Sequence, residues 1–125
     1  MQRIWVALGS VAGCGAVAMA AYAAHGLGGE DSAARRVVES GVQMQGWHAL
    51  ALVGTGLWAA RGGWLTDLAG AAFAIGIVMF CGALYALGIE GRSLGAVAPV
   101  GGTLLMLGWL LLAASAVFPQ RRGVS

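Results

Sequence analysis

Gln45-Gly46-Trp47-His48-Ala49-Leu50-Ala51-Leu52 is where a polar run gives way to an apolar one, with one of the chain's two histidines at the mouth of a hydrophobic segment. The other histidine, His25, closes the preceding apolar segment, so the spacing puts both imidazoles at one edge of the slab that these segments cross. Positions 45, 48, 52 and 55 share one side of a helix, which gives Gln45, His48 and Thr55 the form of a polar stripe. Such a stripe in a membrane faces protein rather than lipid. The pattern predicts that His25 and His48 approach each other near the rim, with Gln45 beside them, as a polar latch or ligand site to which Tyr85 is a further candidate.

The setting is a membrane. Of 125 residues, 59% are hydrophobic and 10% charged, and the mean hydropathy is +0.81, which leaves too little polar surface to coat a soluble globule. The expected fold is all-α: a polytopic membrane protein, a four-transmembrane-helix bundle forming a single domain over residues 1–125. Its spans fall at about 4–24, 42–60, 66–89 and 94–118.

Span one holds 21 residues, which at about 1.5 Å each just cross a hydrocarbon core of roughly 30 Å. It also imitates a signal peptide, with Gln2-Arg3 in front and small-x-small sites at Ala18-Met19-Ala20 and Ala21-Tyr22-Ala23. Gly9 and Gly13, with Ala12, Ala16, Ala20 and Ala24, make a small-residue strip on which another helix can pack closely. Gly82, Gly101 and Gly102 are read as packing positions of the same kind.

After a turn through Leu27-Gly28-Gly29, Glu30, Asp31 and Ser32 supply helix-start chemistry. Ala34, Val37, Val38, Gly41 and Val42 then recur at helical spacing opposite Arg35, Arg36 and Glu39, which predicts a short amphipathic surface helix at about 32–41, between spans one and two. Arg35 and Glu39 stand four apart and can pair. Arg61-Gly62-Gly63-Trp64 and Glu90-Gly91-Arg92-Ser93 read as turns, Thr66-Asp67 as a helix start, and Pro119-Gln120-Arg121-Arg122 as the end of span four. Pro99 falls in the first turns of that span, where a missing amide donor is best tolerated.

Four spans put both termini on one side. Arg3, Arg61, Arg121 and Arg122 lie there against Arg35, Arg36 and Arg92 opposite, a vote for cytoplasmic termini. Trp5, Trp47, Trp64 and Trp109 read as an aromatic belt.

Little of the polar inventory supports chemistry. A formal charge of +2 without basic clusters argues against nucleic acid. Cys14 and Cys81 lie inside apolar segments, without zinc or redox spacing, at depths that leave a disulfide geometrically open. Two histidines alone make an incomplete metal site, and no catalytic constellation is discernible, so no metal, cofactor or catalytic residue is expected. None of the five carboxylates falls in the interior of an expected span, Asp67 and Glu90 sitting at span ends, which weakens proton-coupled transport.

Four strings carry a family likeness: Ala24-His25-Gly26-Leu27; Gln45-x-x-His48-Ala-Leu-Ala-Leu; Phe80-Cys81-Gly82-Ala83-Leu84-Tyr85; and Leu94-Gly95-x-x-x-Pro99-x-Gly101-Gly102 followed by Gly108-Trp109. In order and spacing the chain resembles the YgdD-like small inner-membrane proteins, which carry domain of unknown function 423 and have eukaryotic relatives. Tyr22, Met44, Cys81 and Ala98 stand where that family tends to have Phe, Tyr, Ser and Thr. The resemblance implies that span one is retained rather than cleaved, and it leaves the activity open. The expected function, reached by elimination, is an accessory, assembly or stabilising component of a bacterial inner-membrane complex rather than an enzyme. Its expected partners are the lipid bilayer and other membrane proteins or further copies of itself. The alternative is a small-molecule transporter or a lipid- or quinone-binding membrane protein.

Overall fold

The computed structural model describes residues 2–26 and 32–118. Three helices make up the described chain: α1, Gln2–Gly26; α2, Ala33–Glu90; and α3, Val97–Val117. All three are long and apolar enough to cross a membrane. The Leu27-Gly28-Gly29 turn, Glu30 and Asp31, and the Pro119 to Arg122 terminus lie outside the described residues. Ser32 is the N-cap of α2, its hydroxyl accepting from the Arg35 amide at 3.0 Å, and Arg35 pairs with Glu39 at 2.8 Å.

Two expectations are corrected here. There are three helices where four were expected, and the separate surface helix over 32–41 is absent, because that stretch is the opening of α2. A straight helix of 58 residues would run about 87 Å, yet α2 is folded. Gly63 interrupts it with φ 68° and ψ −154°, a region of backbone space essentially reserved for glycine. The two limbs, 33–62 and 64–90, lie antiparallel: the Cys81 thiol donates to the Gly41 carbonyl at 3.4 Å, the Tyr85 hydroxyl donates to Gln45 at 2.6 Å, and Gly88 faces Val38 and Ala34.

That pairing explains why no surface helix forms. The apolar face of 32–41 is consumed by the second limb rather than by lipid. Val38 is fully buried, and a Cβ on Gly88 would come within 2.5 Å of its methyl. The second limb closes at Gly91, left-handed at φ 68°, where the amides of Gly91 and Arg92 return to Leu87 and Ala86, each at 3.1 Å.

Both α1 and α3 pack on the folded α2, and among the described residues no Cα of one comes within 8 Å of a Cα of the other. Glycines beneath aromatic rings recur at these seams. Trp5 lies on Gly70, Tyr85 on Gly41 and Phe73 on Gly108, each so close that an added Cβ would fall within 2.5 to 2.7 Å of the ring, while one on Gly101 would meet the backbone of Phe80 at 2.5 Å. The largest buried side chains, Phe73, Leu52 and Leu105, mark the core between the limbs and α3.

Candidate functional site

The polar stripe on the first limb is wholly buried: Gln45, His48, Leu52 and Thr55 all turn inward. Gln45 is its centre. The side-chain amide donates from Nε2 to the Ala12 carbonyl at 2.8 Å, while Oε1 accepts from the Tyr85 hydroxyl. One side chain thereby joins α1 to both limbs of α2. Ala12 lies near the middle of α1, about 21 Å along the helix axis from Gly26, so this junction sits well away from either end of that helix.

His48, one turn on, belongs to a different junction. Its Nε2 lies 3.0 Å from the indole Nε1 of Trp109, and its Nδ1 is 2.7 Å from the Met44 carbonyl. Indole nitrogen can only donate, so Nε2 must accept and Nδ1 must carry the proton that goes to Met44. The ring is a neutral tautomer with both nitrogens engaged, and no lone pair remains for a metal or haem. Phe73 and Trp109 pack around it, with ring centroids 5.8 and 5.7 Å from the imidazole and 5.2 Å from each other.

His25 does not join either junction. It is exposed at the last turn of α1, 13 positions beyond Ala12 and so about 20 Å along the axis from the level of Gln45. The convergence expected of the two histidines is absent, and the cause is the same as for the missing surface helix. With 32–41 already descending as part of α2, Gln45 and His48 start far deeper than a span opening at Val42 would place them.

Other polar groups tie the same seams. The Trp5 indole, buried against Gly70, donates to the Asp67 carboxylate at 3.0 Å. Trp58 donates to the Ser115 hydroxyl at 3.0 Å, and Ser115 in turn donates to the Leu112 carbonyl at 2.6 Å. Trp5 and Trp109 are therefore interhelical donors; Trp64 is exposed beside the α2 reversal, whereas exposed Trp47 lies near the middle of the first limb, away from the rim at which an aromatic belt was expected. The sequence reading missed these tryptophan partners, because no spacing rule links residues some sixty positions apart. Buried Thr66, beside the α2 reversal, has a hydroxyl without a hydrogen-bond partner among the described residues.

The packing glycines divide. Gly9 and Gly101 are tight seams, since a Cβ on Gly9 would meet the Ala49 carbonyl at 2.7 Å and one on Gly101 the Phe80 amide at 2.5 Å. Gly102 makes ordinary contact with Phe80, Gly13 touches only the Ala49 methyl at 3.9 Å, and Gly82 faces open space. Cys14 is exposed and Cys81 buried, both as free thiols. Among the described residues no three His, Cys, Asp or Glu side chains group as metal ligands.

Comparison with known proteins places this arrangement. Residues 19–102 match the family described as "Protein of unknown function (DUF423)". That segment includes the whole of α2 with its reversal, the Gln45 and Tyr85 side of the junction but not Ala12, and the glycine pair in the first turns of α3. A UPF0382 membrane protein of Haemophilus influenzae is 34% identical over 115 residues, covering 90% of this chain and 93% of the relative. The UPF0382 membrane protein YwdK of Bacillus subtilis is 34% identical over 120 residues, 93% and 98% of the two chains. The UPF0382 inner membrane protein YgdD of Escherichia coli is 32% identical over 127 residues, 99% and 97%. No solved structure matches. Similar from end to end to proteins named for the membrane, and matched through the folded helix that carries Gln45 and Tyr85, the chain belongs to the DUF423 family of membrane proteins.

Proposed function

We propose that this protein is an accessory or stabilising component of an inner-membrane complex, held in the bilayer by four crossings: α1, each limb of α2, and α3. The limbs support that reading by length, being about 45 and 40 Å at a rise of about 1.5 Å per residue. Both termini then share a side, and the count of Arg3, Arg61, Arg121 and Arg122 against Arg35, Arg36 and Arg92 favours the cytoplasm for that side. An inner-membrane location rests on the printed name of the Escherichia coli relative. A carboxy-terminal reporter that is active only outside the cytoplasm overturns the orientation.

The observation that carries the accessory role is the outward face of the first limb. Gln43, Trp47, Leu50, Gly54, Leu57 and Arg61 are all exposed and recur at alternating four- and three-residue steps, a period of about 3.5 that suits a seam with another helix. A Cβ on Gly54 would meet nothing within 4 Å, so a neighbouring backbone can approach there. Inside, by contrast, His48, Tyr85, Trp5 and Trp58 are engaged with partners of the same chain. An ion-coupled transporter needs a titratable group facing a mid-membrane cavity, and an enzyme needs a reactive group free to meet substrate; these engaged side chains favour neither.

The test is purification in native nanodiscs followed by mass spectrometry, comparing the wild type with Gly54→Leu and Leu50→Arg. Co-purification of a defined membrane protein, or of a second copy, that both variants lose is the expected result. Substrate-dependent flux in proteoliposomes holding only the purified protein overturns it.

A further inference from the structure

Beside the Gln45 junction a groove of about 360 Å³ opens between α1 and the second limb, lined by Leu8, Val11, Gly15, Gln45, Ile77 and Val78 among others. That volume is within the range of small-molecule sites. Its wall is apolar apart from Gln45. The exception is chemically specific. A primary amide nitrogen carries two hydrogens; one is used on Ala12, and the other has no acceptor among the described residues. Gly15 explains why space remains next to it, since a Cβ there would stand 2.8 Å from Gln45 Nε2 and fill the gap. Val11 and Val78, both exposed, flank the way in from the lipid.

An N–H directed into an apolar groove selects an acceptor, and depth selects which. Glycerolipid ester carbonyls lie at the edge of the hydrocarbon core, about 15 Å from its midplane, whereas Gln45 is level with the middle of α1. Only a carbonyl carried on an apolar molecule that moves within the core can reach it. We propose that this groove binds an alkyl- or isoprenoid-tailed quinone, with one ring carbonyl accepting from Gln45 Nε2 and the ring lying against Gly15, Ile77 and Val78. The inference goes beyond the accessory role and does not depend on it, because the purified protein alone is the binder.

Decylubiquinone is the probe, titrated into phosphatidylcholine and phosphatidylglycerol nanodiscs with and without the protein. Isotope-edited infrared difference spectra read the quinone carbonyl. Saturable binding above empty discs is expected, with a lowered carbonyl stretching frequency and at least tenfold weaker retention of decylbenzene, which has the tail and ring without the carbonyl. Gly15→Val, which fills the gap, and Val78→Phe, which narrows the mouth without touching Gln45, should each weaken binding at least tenfold. Val78 faces lipid, so its variant keeps a folded reference even if Gly15→Val disturbs packing. Equal retention of the two probes, an unshifted carbonyl band, or wild-type binding by the Val78→Phe protein overturns the proposal.

Discussion

Gln45 and His48 show how single side chains decide what this interior can hold. Each sits where lipid offers no hydrogen bonds, and each is placed by partners from two other segments. Hydrogen bonds between membrane helices are worth about 0.6 kcal/mol on average and up to about 1.7. Tyr85→Phe, which removes only the bond to Gln45, should therefore lower stability by about 1 kcal/mol, read as a modest fall in thermal midpoint. Trp109→Phe should cost at least as much, because it keeps the ring contact with Phe73 but leaves the His48 Nε2 lone pair buried without a donor. A Trp109→Phe protein as stable as the wild type would show that the indole bond contributes nothing. The polar stripe itself was legible from the 45, 48, 52, 55 spacing. Its partners were not, because periodicity describes which way one helix faces and carries no information about what lies opposite.

Among the elements, α2 is the informative one. Its reversal hangs on one glycine, and Gly63→Ala would force an L-residue into a conformation that costs on the order of 1–3 kcal/mol, at the position that sets the register of both limbs. Loss of monodisperse protein on gel filtration is expected; a well-behaved Gly63→Ala protein would mean that the reversal tolerates other backbones. The chain's Arg61 to Trp64 turn signal was readable, since paired glycines punctuate helices. The amphipathic pattern at 32–41 misled for a physical reason: an apolar face looks the same in sequence whether it will lie on lipid or on another helix, and here Gly88 and Tyr85 supply the other helix. The same limit applies to α1. Gly9 and Gly13 read alike, yet Gly9→Ala should be strongly destabilising because its Cβ would meet backbone, whereas Gly13→Ala should be nearly neutral. Thermal midpoints of the two variants side by side check this, and equal effects would refute it.

For the whole molecule, the arrangement is a folded central hairpin with one helix docked at each of two separate seams. Because the backbones of α1 and α3 stay more than 8 Å apart, Cα to Cα, among the described residues, damage at their seams should add. The pair Gly9→Ala and Gly108→Ala, the second driving a Cβ to 2.7 Å from the Phe73 ring, should show a double-mutant stability loss equal to the sum of the single losses within about 0.5 kcal/mol. A larger coupling would mean that the seams communicate through α2. Glycine richness, which in the sequence read as places where helices pack closely, is at this scale also the means by which aromatic rings fit between closely spaced backbones.

The bond from Trp109 to His48 also sets an order in time. A ribosome delivers the chain from its amino terminus, so His48 enters the bilayer some sixty residues before the indole that completes it, and Trp58 likewise waits for Ser115. Until α3 arrives, the nascent protein shows the membrane a bare imidazole nitrogen and an unanswered indole donor, the kind of polar blemish by which quality-control proteases and chaperones can tell unfinished from finished. A chain stopped after Arg92 should therefore insert yet turn over much faster than the full-length protein in pulse-chase labelling, and restoring α3 as a separate polypeptide should slow its loss. Equal half-lives for the truncated and complete chains would deny the last helix this role as the mark of completion.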